Sequence, residues 1–229
     1  MVDAQTTLRY KLSMNSDIRS DDPPLGGPDE ALALIHDQRR AVTQRQLGGI
    51  PWVLLAWGVA WVIWFLALWS GYEGGNPWIR IPLGVAGVIF GLALLGAAVV
   101  TVFSVIRTSR GVRGPSNFSG AVYGTTWSVG FVATYLIAIA LARAGADQSL
   151  ISLFLPSAFG VLVGLLYFMG AALWRSVEQL VLGAIIVLAS VVAAFFGAPT
   201  NNLVMALAGG GSLLVAGIVM HLSLRRRSA

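Results

Sequence analysis

The sequence predicts an all-α membrane protein: a bundle of six transmembrane helices preceded by a short cytoplasmic helix. Three observations carry that prediction. Hydrophobic residues make up 56% of the 229-residue chain, charged residues only 11%, and the mean hydropathy is +0.77. A soluble domain carries about 25% charged residues, so this chain cannot coat a surface for water. Six apolar runs each reach the length needed to cross the hydrocarbon core, about 20 residues. The runs are continuous and do not alternate, which favours helices over a barrel.

The elements follow in chain order. Residues 1–28 are polar and end in the breaker Asp21-Asp-Pro-Pro-Leu-Gly-Gly-Pro28, which predicts a disordered tail. No apolar core precedes a cleavage site, so a secretory signal peptide is not expected. Residues 29–47 read as a cytoplasmic or interfacial amphipathic helix with Asp29 as its N-cap. Its acidic residues come first and its arginines last, in keeping with the helix dipole. Leu32, Ile35 and Val42 share a face, which suits either a helix on the membrane surface or a solvated lead-in. Gly48, Gly49 and Pro51 then form a hinge into the membrane domain, residues 50–222.

The six runs are 50–70, 81–106, 120–142, 150–174, 177–197 and 202–222. Gly, Pro and Asn clusters at 71–77 and 198–202 mark reversals between spans one and two and between five and six. Only Arg175 and Ser176, with Val177 at the boundary, separate spans four and five, which forces a close antiparallel hairpin. Residues 223–229 form a basic cytoplasmic tail. No sequence similarity links the two three-span halves, although an inverted repeat is a common plan for six spans.

Arginine placement sets the orientation. With the N-terminus inside, ten arginines flank the inner ends of spans from Arg39 onward, and only Arg80 and Arg143 lie outside. The positive-inside rule therefore places both termini in the cytoplasm. The net charge of +5 belongs to this pattern and to anionic lipid, not to nucleic acid.

Several chemistries are disfavoured on residue grounds. The chain has no cysteine, which removes disulfides, thiolate metal sites and cysteine nucleophiles. No ionisable side chain sits near a span centre, which argues against a proton pump or a carboxylate-coupled antiporter. The only lysine is Lys11, so a retinal Schiff base has no partner. Rhomboid proteases place a serine in span four and a histidine in span six. Here Ser157 lies roughly 10 Å deep from the outer side and His221 roughly 28 Å, too far apart for proton transfer. His36 and His221 lack nearby carboxylates at ligand spacing, and no cytoplasmic loop carries paired aspartates. No cofactor or metal is expected.

The remaining candidates are a pocket, a hinge and a lipid contact. Trp57, Trp61 and Trp64 recur on one face of span one, as an aromatic wall or as packing bulk. Pro156 frees a carbonyl in span four, where Thr134, Tyr135, Ser157 and Ser190 lie at similar depth. These groups either line a small polar pocket or bond back to their own helices. Gly87/Gly91 and Gly160/Gly164 have the spacing of close helix approach. Gly209, Gly210 and Gly211, followed by Ser212, fall mid-span, where they serve as a packing site, a hinge or a ligand-lining break. Arg107, Arg110 and Arg113 form the densest basic cluster in an internal loop and suit an anionic headgroup or a cytoplasmic partner.

Five stretches resemble a family of uncharacterised six-span integral membrane proteins from actinobacteria. They are Ala31-Leu-Ala-Leu-Ile-His-Asp-Gln-Arg39, Trp57-Gly-Val-Ala-Trp61, Val112-Arg-Gly-Pro-Ser116 with Tyr123-Gly and Trp127, Tyr167-Phe-Met-Gly-Ala-Ala-Leu-Trp174, and Ala208-Gly-Gly-Gly-Ser212. The resemblance implies a shared fold and a bacterial plasma membrane, and it supplies no activity. Two functional readings therefore stand. The first is a non-catalytic membrane subunit or partner of a transport or envelope complex, working with another membrane protein or as a homo-oligomer. The second is a carrier of a neutral or amphipathic small molecule through a pocket lined by Trp57, Trp61, Thr134, Ser157 and Ser212. An enzyme is a distant third.

Overall fold

The computed structural model describes residue 27 and residues 29–36, 48–109 and 115–228. Within these the chain is helical, with no strand among the described residues, and six segments are long and apolar enough to cross a membrane. It is a multi-pass membrane protein. Residues 29–36 form a short helix by themselves, in which the Gly27 carbonyl accepts from the Glu30 and Ala31 amides. Asp29 lies in its first turn and does not cap it. Residues 1–26 and 37–47 lie outside the described residues.

The first five spans are α1 (Ile50–Gly71), α2 (Leu83–Ser109), α3 (Pro115–Arg143), α4 (Gln148–Trp174) and α5 (Val177–Phe196). The sixth is built in three pieces: α6 (Thr200–Val204), a π-helical segment π1 (Met205–Gly210) and α7 (Gly211–Ser228). The predicted runs match within a few residues, with two extensions. Helix α3 begins at Pro115, a residue suited to a first turn. Helix α7 continues through the basic tail, so Arg225 and Arg226 decorate a helix.

The turns show why these boundaries hold. Pro51 opens α1, where its missing N–H is unneeded. Asn76 folds the loop after α1: its amide donates to Ser70 Oγ at 2.9 Å and its oxygen accepts from the Trp78 amide at 2.9 Å. Asp147 caps α4 by accepting from the Leu150 amide at 2.7 Å. That bond, with a second from the Ser149 hydroxyl, holds the exposed Asp147 carboxyl below its ordinary pKa. Between α4 and α5, Arg175 takes the left-handed conformation (φ 52°) and Ser176 caps α5. This is the two-residue hairpin that the sequence demanded.

Four spans make the core. Leu54, Trp61 and Phe65 from α1 meet Val163 from α4, Leu182 and Ile186 from α5, and Met205, Ala206 and Leu213 from the sixth span. Helix α2 packs on α1 and helix α3 packs on α4, each at the margin. Only 6% of the residues in the apolar window of α2 or α3 are buried, against 33–39% for the other spans. The small side chains of Ala86 and Ala97 are what α2 buries, and the Trp57 indole donates to Thr101 Oγ1 across that contact at 2.9 Å.

Close helix approach runs through glycines. A Cβ on Gly164 would stand 2.8 Å from the Gly183 carbonyl and collide with Val187. Gly58, Gly210 and Gly217 do the same for α1 and the sixth span, against Leu214, Val62 and Leu55. The predicted Gly160/Gly164 pair is thus a true contact. Gly87 and Gly91 are not: a Cβ on either meets nothing, because α2 turns that face away from the bundle. Substituting Gly164→Ala should cost about 1–3 kcal/mol, the usual range for overpacking. Gly91→Ala should lie within about 1 kcal/mol of wild type, because alanine is the better helix former and has room. Reversible unfolding in mixed micelles measures both, and equal losses would contradict the assigned seams.

Candidate functional site

The polar centre of the bundle starts from a proline. Pro156 has no N–H, so the Ser152 carbonyl one turn earlier loses its helical donor. In lipid that oxygen needs another partner. Asn201, on α6, supplies it: its amide donates to the Ser152 carbonyl at 3.0 Å. Asn202 continues the chain of bonds, donating to Asn201 Oδ1 at 3.0 Å and to the Pro199 carbonyl at 3.3 Å. Both asparagines are essentially fully buried. Helix α6 carries them into the space between α1, α4 and α5. Ser190, also fully buried, donates to the Ile186 carbonyl at 2.7 Å and faces Gly160.

Beyond this centre the helix widens. π1 holds two of the three consecutive glycines. Gly209 lies against the Trp61 ring, and a Cβ there would be 3.0 Å from it. A Cβ on Gly210 would meet Val62 Cγ2 at 2.8 Å and the Val62 backbone nitrogen at 3.0 Å. Gly211 faces open space. The run therefore divides into two packing glycines and one that packing does not require. Ser212 donates to the Gly209 carbonyl at 2.7 Å, inside its own span.

The other predicted pocket residues do not converge. Thr134 bonds back to the Gly130 carbonyl at 2.8 Å and Ser157 to the Leu153 carbonyl at 2.9 Å. Tyr135 is 54% exposed on the outside of α3. Trp57 is committed to Thr101, and Trp61 is a core residue beside Phe65. Trp64 stacks between Phe65 and Phe90, at centroid distances of 4.8 and 4.0 Å. Of the predicted set, only Trp61, Gly209, Gly210 and Ser212 come together. An apolar furrow of about 450 Å³ between α1 and α2 opens outward and is lined by residues such as Val59, Ile63, Ala93 and Gly96.

At the opposite end of the bundle, aromatic rings from α3 and α4 interlock. Tyr123 meets Trp174 edge-on at 4.7 Å, and Trp127 meets Tyr167 at 6.0 Å. Gln179 Oε1 is buried beside Gly170 with no donor among the described residues. Arg107 is exposed at the end of α2, while Arg110 and Arg113 lie outside the described residues. Among the described residues no group of three His, Asp or Glu side chains could hold a metal ion.

Sequence reasoning passed over Asn201 and Asn202, which read as turn residues in the 198–202 cluster. The available signal was their pairing with Pro156: a proline inside one apolar run, and amides at the same depth in another.

Two outcomes are expected. Asn201→Leu should destabilise the fold by about 1–3 kcal/mol, because it strands the Ser152 carbonyl. Adding Pro156→Ala should recover most of that loss, because residue 156 then donates to Ser152 within the helix. Additive losses in this double-mutant cycle would refute the link. Within the glycine run, Gly210→Ala should cost about 1–3 kcal/mol and Gly211→Ala almost nothing. Melting curves in detergent check that order. Compared with known proteins, the chain matches no family model, no curated protein and no solved structure.

Proposed function

We propose that this protein is a non-catalytic membrane subunit that works through contact with another membrane protein or a second copy of itself. The observation that carries this reading is the imbalance among its spans. Four spans bury a third or more of their apolar windows, while α2 and α3 bury 6%. Large side chains such as Val88, Leu92, Leu95 and Val99 on α2, and Val129, Val132 and Leu136 on α3, face outward. The same face of α2 carries Gly87 and Gly91, where a Cβ meets nothing, and such small residues admit the close approach of a further helix within the bilayer. The polar side chains support the same reading, since most are spent on internal bonds.

The further assignments belong to this proposal. The arginine pattern supports a topology with both termini in the cytoplasm, and the bacterial plasma membrane is what the family resemblance implies. Arg107, with Arg110 and Arg113, suits anionic lipid headgroups on that side. A carrier of a neutral or amphipathic molecule has less support, because Thr134, Ser157 and Ser212 each bond within their own spans.

The chain has no cysteine, so single cysteines can report neighbours directly. Leu92→Cys on α2 and Val132→Cys on α3 should give cross-linked species larger than the monomer in native membranes. Ile186→Cys, fully buried in the core, should give none. Monomer alone at both outward positions would overturn the subunit reading.

A further inference from the structure

The furrow between α1 and α2 is about as long as one bilayer leaflet is deep. Its floor is made of small residues, Ala56 and Ala60 on α1 and Ala93, Gly96 and Ala97 on α2. Val59 and Ile63 stand along it and stay exposed. On α1 the lining runs from Trp52 to Ile63, roughly 16 Å at about 1.5 Å per residue. One leaflet of the hydrocarbon core is about 15 Å deep, half of about 30 Å. The furrow therefore serves one leaflet and stops near the middle of α1, whereas a neighbouring transmembrane helix would lie along both. Apart from the Trp52 indole N–H, its side chains offer no donor or acceptor. A space of about 450 Å³ with such walls suits a hydrocarbon chain and not water.

One end of the furrow is polar and basic. Trp52 stands there, 56% exposed and edge-on to His221 of α7 at 5.4 Å. An indole in that position is an interfacial anchor, with its N–H at the level of lipid headgroups. A Cβ on Gly49 would stand 3.2 Å from Ser104 Cβ, so the start of α1 lies beside the last turns of α2. Ala93, Val100 and Arg107 recur every seven residues and share one face of α2. Arg107 thus lies in line with the furrow, roughly 10 Å beyond Val100. It is exposed and has no carboxylate partner among the described residues. Arg226, near the end of α7, is exposed as well. We propose that the furrow holds one acyl chain of an anionic phospholipid whose headgroup lies against Arg107. Apolar walls take the chain and the guanidinium takes the phosphate. Leu92, Leu95 and Val99 lie on another face of α2, so the site does not depend on the subunit reading. The headgroup contact rests on the assignment of Arg107 to anionic lipid and adds a chain site to it.

The probes are two lipids with identical chains, phosphatidylglycerol and phosphatidylcholine. The full chain, held in nanodiscs with equal amounts of both, is released into a mass spectrometer under non-denaturing conditions, and the lipids retained per chain are counted. Wild type should retain phosphatidylglycerol several-fold more often than phosphatidylcholine. Gly96→Leu fills the furrow at a position where a Cβ meets nothing, and should lower phosphatidylglycerol retention several-fold. Gly91→Leu, equally open but outside the furrow, should leave retention unchanged. Arg107→Gln should bring the two lipids to equal retention. Equal retention by wild type would overturn the proposal, and that arm needs no variant to fold. Retention that survives Gly96→Leu would overturn the chain site alone. Loss of dimers in Gly96→Leu with lipid retention intact would do the same, in favour of an interface between copies. A preference for phosphatidylglycerol that survives Arg107→Gln would overturn the headgroup contact and the arginine assignment beneath it.

Discussion

Helices in a bilayer are not driven together by the hydrophobic effect, because lipid tails are as apolar as the side chains they would replace. What holds this bundle is close backbone approach along two glycine-lined seams. One joins α1 to the sixth span through Gly58, Gly210 and Gly217, and the other joins α4 to α5 through Gly164 and Gly183. The spans on these seams form the core. The glycines of α2 and of the start of α3, among them Gly84, Gly87, Gly91, Gly120 and Gly124, meet nothing, and these two spans stay at the margin. Glycine content alone does not separate the two cases. What separates them is whether a neighbouring backbone lies within a Cβ's reach.

The same medium imposes the second constraint, that every buried polar group finds a partner. Pro156 creates a debt at Ser152, and the span that settles it begins 44 residues later. That one bond fixes where the loop end of the sixth span sits. It also brings Asn202 into the space among α1, α4 and α5. A substitution in α4 that removed the helix break would therefore be felt in a different span. The hydroxyls behave more simply: Thr134, Ser157, Ser190 and Ser212 close short loops within their own spans and leave interhelical recognition to backbone, amide and indole groups.

Much of this was legible in the residues. Run length gave the six spans, Arg175 and Ser176 gave the tight hairpin, and Gly160/Gly164 gave a true seam. The turn at Asn76 lies where its Gly and Pro neighbours placed it. The site was far less legible. Depth along a helix can be counted, but azimuth cannot be read where every face is apolar. Trp57, Trp61 and Trp64 share a sequence face, yet one bonds α2, one fills the core and one stacks on Phe90. The functional reading rests on what the fold leaves uncovered, a property that no motif in the chain announces.

The π-helical segment accounts for one such failure. A regular α-helix advances about 100° per residue. A wheel drawn through the sixth span would therefore set Asn201 on the side opposite Gly210, nine positions away, and consign it to lipid. Six residues of wider helix take up roughly one extra residue and swing the earlier part of the span round. Asn201 and Gly210 then face the same interior. In phase terms, the sixth span is two helices of one handedness offset by a step, and the offset is what admits an amide pair to a wall of glycine and methionine.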